Sequence, residues 1–214
     1  MKGLLLKDLL NLKKTIKTML IIGIVYSIFF STVQPMAFTG ILTLLFSMQS
    51  LSSFSYDEYA KWDSYALTFP ISRKDLVLSK YILFLTFPII GSVLSIILSI
   101  IIALFNQTLI IEEIFASAMG FLFSMEILFL IILPLIFKFG IERGRIMMTM
   151  VTFSIFGILI LGMKLIEALN PPFFSLEQLY ALTPIIPWIA LVIVALIAYA
   201  SYQLSIRIIE KKEY

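Results

Sequence analysis

The stretch Ser55–Asp75, SYDEYAKWDSYALTFPISRKD, interrupts a chain that is otherwise close to continuously apolar. Before it, no charge falls between Lys17 and Asp57; after it, LVLSKYILFL opens another long apolar run. Dense aromatic and charged residues between two apolar segments read as a short loop joining two membrane spans.

The rest of the chain fits that reading. Of its 214 residues 61% are hydrophobic and 14% charged, where a soluble domain is about 45–50% apolar. Mean hydropathy is +1.06. The fold class expected is an all-α polytopic membrane protein. No N-terminal stretch combines a short apolar core with a small-residue cleavage site, so the first apolar segment is expected to be retained. Cys and His are both absent, which removes disulfides, thiolate or imidazole metal sites, and Cys or Ser-His nucleophiles. No metal or cofactor site is expected on this chain, and no nucleic-acid partner.

Six spans of about 20 apolar residues can be drawn: roughly 18–33, 38–54, 76–105, 114–137, 146–169 and 185–206. Fifteen of the sixteen Lys and Arg residues fall before span one, around the span two–three loop, between spans four and five, or after span six. The positive-inside rule therefore predicts that both termini face the cytoplasm of a plasma membrane. The opposite connections are short. The last, residues 170–184, reads either as an interfacial or re-entrant helix or as an aromatic-rich loop.

Two elements are expected on the cytoplasmic side. In residues 1–17, MKGLLLKDLLNLKKTIK, Leu5, Leu9, Leu12 and Ile16 make a helical stripe with Lys7, Asp8, Asn11 and Lys14 opposite. That pattern suits an amphipathic helix along the inner leaflet, with extension of span one as the alternative. In residues 55–69, Ser55 and Glu58 form a capping-box signature, so a second short helix is expected to begin at Ser55 and to end at Pro70. One side would carry Tyr56, Tyr59, Trp62, Asp63 and Ala66, the other Asp57, Glu58, Lys61, Ser64 and Tyr65. Ser72 and Asp75 give a further capping signature just before span three.

Within the spans, Glu126 lies near the middle of span four, where a charge costs about 2.5–3.5 kcal/mol. It should face protein or water, pair, or be protonated, either as a pathway or gating residue or as a packing hydrogen bond. Lys164 is placed to snorkel outward, or to pair with Glu126 or Glu167. Ser47, Gln49, Ser50, Ser52 and Ser53 give span two a polar half. Of these, Gln49, Ser50 and Ser53 are candidate pathway residues. Ser92, Ser95 and Ser99 form a small-residue face for close helix packing or, alternatively, a wetted wall. Pro134 is a candidate kink in span four.

MKGLLLKDLLNLKK at the N-terminus, six spans, and Trp62, Tyr65, Leu67, Pro70, Ile71, Ser72, Arg73 and Lys74 after span two resemble the permease subunits of type-two ABC exporters. Among these the chain is most similar to the small permeases that include the exporters of phenol-soluble modulins. The resemblance covers essentially all of the chain as a single domain, 1–214. It implies that residues 1–17 are the amphipathic connecting helix and residues 55–69 the coupling helix that seats in an ATPase groove. Tyr56, Asp57, Glu58, Tyr59, Lys61, Trp62, Asp63 and Tyr65 would then meet the ATPase.

The chain has no phosphate-gripping G-x-x-x-x-G-K-[ST] loop, so it is not expected to be an enzyme in its own right. ATP and Mg would be held by a partner ATPase subunit. A second copy of the chain and the membrane lipid are the other partners implied, and the cargo would be hydrophobic or amphipathic, first of all peptides. A membrane-bound binding subunit for vitamin uptake is the second hypothesis and an intramembrane enzyme the third.

Overall fold

Leucine, isoleucine and phenylalanine run through almost every segment, and the backbone answers with helices. The computed structural model describes residues 2–29, 35–66, 68–107, 110–169 and 185–212. Seven helices occur among them: α1 (Lys2–Phe29), α2 (Pro35–Tyr59), α3 (Trp62–Ala66), α4 (Arg73–Phe105), α5 (Ile111–Phe139), α6 (Ile141–Leu169) and α7 (Ile186–Glu210). No strand is present among the described residues.

Four of these, α4, α5, α6 up to Leu165, and α7, are long and apolar enough to cross a membrane. They coincide with the expected spans three to six. At 33 residues α4 is roughly 50 Å long, more than the bilayer core requires. The first two expected spans fall in α1 and α2. In α2 the buried Thr39, Thr43, Ser47, Gln49, Ser50 and Ser53 dilute the apolar character that length alone would give. Residues 30–34 and 170–184, including the expected outer segment, lie outside the described residues.

α1 follows the alternative reading of residues 1–17: it is one helix from Lys2 to Phe29, so the amphipathic segment continues into the expected first span. Its buried face carries Leu4, Asp8 and Leu12; Asp8, expected opposite the apolar stripe, is 1% exposed, while Leu9 of that stripe is exposed. The i, i+4, i+8 stripe from Leu4 has a carboxylate in the middle because lysines from two helices meet it there.

The junction after the expected second span also differs. No helix begins at Ser55, because α2 runs unbroken to Tyr59. Ser55 is inside the i→i−4 ladder, its hydroxyl donating to Leu51 O at 3.4 Å, and the Glu58 carboxylate is engaged elsewhere. The chain breaks at Lys61, whose φ of +49° no helix accepts. The five-residue α3 follows and stops at Ala66, ahead of Pro70. Thr68 and Phe69 then close turns onto Tyr65 O and Ala66 O.

The second capping signature holds. Ser72 is extended at φ −76° and ψ 151° and accepts from the Asp75 N–H, while the Asp75 carboxylate bonds back to Ser72. α4 therefore starts sharply at Arg73. At the end of α5 the chain takes one non-helical residue, Gly140 at φ +84°, before α6 begins. Pro88 and Pro134 sit inside α4 and α5 without ending them.

The core lies among α2, α4, α5 and α7. α2 and α4 make the most extensive contact, and Gly91 shows how close it is: a Cβ there would lie 2.7 Å from Phe46 Cβ and 3.2 Å from Leu42 O. Ser92, Ser95 and Ser99 are buried on α4, as close helix packing requires. Phe54, Phe84, Phe129 and Phe137 join α2, α4 and α5 through edge-to-face rings. Tyr81 Oη contacts Ser201 Oγ at 2.6 Å and Ser205 Oγ at 2.8 Å, and Ser201 donates to Leu130 O, tying α4, α7 and α5. α6, by contrast, has an almost wholly exposed apolar surface.

Candidate functional site at the charged end of the bundle

The start of α1, the end of α2, α3, the start of α4, the α5–α6 turn and the end of α7 converge at one end of the bundle. Side chains that are far apart in sequence stitch them together. Lys80 from α4 sits 3.1 Å from Asp8 Oδ1 and 2.6 Å from Asp57 Oδ2, and its ammonium donates to Ser53 Oγ. Lys7 lies 2.5 Å from Asp57 Oδ1, 3.0 Å from Asp8 Oδ1 and 4.5 Å above the Trp62 ring. Arg73 donates to the carbonyls of Ile209 and Glu210 at 2.9 Å each, and to that of Lys212 at 3.3 Å. It thereby caps the C-terminus of α7, where helix carbonyls lack partners.

Glu58 reaches the other way. Its Oε2 accepts the backbone N–H of Ile141 at 2.7 Å, one of the free donors at the start of α6, where the helix dipole favours a negative charge. Arg145, one turn into α6, donates to Ser55 Oγ at 3.0 Å. The end of α2 is thus pinned to α1 and α4 on one side and to α6 on the other.

The large apolar side chains left open to solvent at this turn are aromatic. Tyr56, Tyr65 and Phe69 are exposed, and Tyr59 is 94% exposed at the tip. Trp62, Tyr65 and Phe69 run as a row, with ring centroids 5.7 and 5.2 Å apart. The inner side of the same turn is fixed by an apolar group of Leu4, Ala66 and Leu76 against Trp62 and Ile71.

The residues named from sequence therefore separate. Tyr56, Glu58, Tyr59, Lys61 and Tyr65 are exposed. Asp57, assigned to the outer charged side, is instead 5% exposed and held by two lysines, and Trp62 lies partly beneath the Lys7 ammonium. Asp63 lies in α3, its side chain outside the described residues. Sequence reasoning missed Asp8 and Lys80. Their signal was positional: each occupies a slot in an otherwise apolar stripe, Leu4–Asp8–Leu12 on α1 and Val77–Lys80–Phe84 on α4.

The candidate pathway residues also part company. Ser50 is buried and bonded to Ser47 O, and Ser53 belongs to the Lys80 contact. Gln49 alone of the three lines a cleft of 590 Å³ between α1, α2 and α6, with Met19, Met48, Arg145, Met148 and Phe153. Its Nε2 is buried with no partner among the described residues. Glu126 is 6% exposed on α5, with no ion pair or hydrogen bond among the described residues. Lys164 is exposed on α6, and the side chain of Glu167, one of its two alternative partners, lies outside the described residues. No cluster of acidic side chains able to hold a metal ion occurs among the described residues.

The arrangement is that of a multi-pass membrane protein with an aromatic-tipped turn at one end, fastened to α1, α4 and α6. Neither a curated protein nor a solved structure matches the chain. The family model of the ABC-2 family transporter protein matches residues 3–210. That match spans nearly the full length, and the chain belongs to the ABC-2 transporter family.

Proposed function

We propose that the chain is the six-span transmembrane subunit of an ATP-driven exporter in the plasma membrane, with both termini cytoplasmic, moving hydrophobic or amphipathic substrates, peptides first among them, out of the cell. ABC-2 permeases work with an ATPase subunit. Here the ATPase, holding ATP and Mg, contacts the α2–α3 turn, and two copies of the chain enclose the route. The likeness to the exporters of phenol-soluble modulins supports the peptide class.

One observation carries this reading. The exposed aromatics Tyr56, Tyr59, Tyr65 and Phe69 sit on a turn whose inner side is fastened to three helices. Aromatic side chains supply large contact area at low entropic cost in interfaces, and a fastened turn passes displacement on instead of absorbing it. The cleft beside α2, with methionines on its walls and the Gln49 amide unmatched, supports an amphipathic cargo.

The test is co-purification and turnover. Tyr59→Ala combined with Tyr65→Ala is expected to leave membrane insertion intact while reducing recovery of the partner ATPase, and export with it, by roughly tenfold or more. Undiminished recovery and export would overturn the assignment.

A further inference from the structure

Asp8 of α1, Asp57 of α2 and Lys80 of α4 are each more than nine-tenths buried, and Lys7 of α1 closes the group at its edge. Two ammonium groups face two carboxylates. The set is neutral as a whole, yet withdrawing any one member strands a buried charge. Such groups contribute little net stability, because four ions must be stripped of water. Their effect on geometry is larger. Lys80 touches carboxylates from both neighbouring helices, 3.1 Å from Asp8 and 2.6 Å from Asp57, so α4 cannot slide along α1 or α2 without breaking both contacts.

The opposite side of α2 is held differently. There α6 is attached by the Glu58–Ile141 hydrogen bond and the exposed Arg145–Ser55 bond, and the 590 Å³ cleft lies between α1–α2 and α6. A displacement of the turn thus meets a locked side and a yielding side.

We propose that Lys7, Asp8, Asp57 and Lys80 are positioning residues of the transport cycle: a buried neutral joint that makes the charged ends of α1, α2 and α4 move as one body, directing displacement of the α2–α3 turn into the cleft against α6. The inference rests on the ATPase reading for the source of the displacement; the joint itself is measurable without it.

The chain has no cysteine, so introduced thiols report cleanly. Leu4→Cys with Leu76→Cys spans the joint within one apolar group; Met48→Cys with Met148→Cys spans the cleft. In membranes holding the full chain alone, bridging of the Leu4→Cys/Leu76→Cys pair by a short bifunctional thiol reagent is expected to fall at least about fivefold when Lys80→Met is added, since an uncompensated buried charge separates the helices. An unchanged yield overturns the joint, whether or not an ATPase docks. In the complex with its co-purified ATPase, bridging the joint is expected to leave ATP turnover within about twofold of the unbridged value, and bridging the cleft to lower it at least about tenfold. Equal loss from both bridges overturns the single-body motion.

The variant Asp8→Leu with Lys80→Met separates positioning from stability. It leaves Lys7 and Asp57 as a neutral pair, so abundance is expected to return to that of the unaltered chain while export stays uncoupled from ATP turnover. Full recovery of coupling would assign the group a merely structural role. Loss of the ATPase on purification of the unaltered chain is a separate result: it removes the proposed partner and leaves the joint to stand on the bridging yield.

Discussion

Glu58 Oε2 accepts the backbone N–H of Ile141 at 2.7 Å, across 83 residues of sequence. The contact fixes the end of α2 to the start of α6 and explains the neighbouring glycine. Gly140 takes φ +84° and ψ 171°, a region essentially closed to residues with a Cβ, and a Cβ there would lie 3.1 Å from Glu58 Oε1. Gly140→Ala is expected to cost about 1–3 kcal/mol and Glu58→Ala about 1 kcal/mol from the lost cap. Because both act on one contact, the double variant should cost less than the sum. Thermal denaturation midpoints of the purified chain in detergent check this, and strict additivity would contradict a shared contact.

Gly91 makes a sharper steric prediction. Its missing side chain admits Phe46 and the backbone of Leu42 and Thr43, so Gly91→Ala must part α2 from α4 or distort one of them, at about 1–3 kcal/mol. At Gly157, on α6, a Cβ would meet open space. Gly157→Ala should therefore be neutral or slightly stabilising, since alanine is the better helix former. The pair measured side by side tests whether α2–α4 packing is as tight as described.

How much of this could be read from the sequence depended on whether the signal was local. The Ser72–Asp75 capping box is a four-residue pattern and was visible; so was the small-residue face of α4, because Ser92, Ser95 and Ser99 share one period. The helix start assigned to Ser55 failed although its motif looked as good, because Glu58 has a better partner in Ile141 that no local window contains. In MKGLLLKDLLNLKK leucines occupy several faces, so a stripe through Leu12 could be drawn by way of Leu5 and Leu9 as readily as by way of Leu4. Only the lysine from α4 decides that Asp8 belongs inside. Buried ion contacts between distant helices leave no period of their own.

Arg73 belongs to the same class of long-range contact. One guanidinium nitrogen, Nη1, serves the carbonyls of Ile209, Glu210 and Lys212, at a reach that the shorter lysine side chain only partly matches. Arg73→Lys is expected to recover only part of what Arg73→Gln loses, with the full loss near 1 kcal/mol at this partly exposed site. Fraying of the last turn of α7 should show as faster cleavage by trypsin after Arg207 and Lys211 in intact membranes. Equal cleavage rates in the parent and Arg73→Gln chains would mean that the α7 terminus does not depend on this cap.

Glu126 is buried on α5 with no bonded partner among the described residues, which is a poor arrangement for stability alone. A polar group taken out of water without a hydrogen bond costs about 1–3 kcal/mol in protein interiors, so an apolar side chain of similar length should be easier to hold. Glu126→Met is accordingly expected to raise the denaturation midpoint. If the carboxyl serves the transport cycle, the same substitution lowers export by the assembled complex, and Glu126→Gln separates the two requirements because it keeps the shape and polarity while removing the acid. Export retained in Glu126→Gln and lost in Glu126→Met assigns the residue a polar role on the route; loss in both assigns it to proton chemistry. A lower midpoint for Glu126→Met would show instead that the carboxyl contributes to packing, and the functional reading of this residue would be withdrawn.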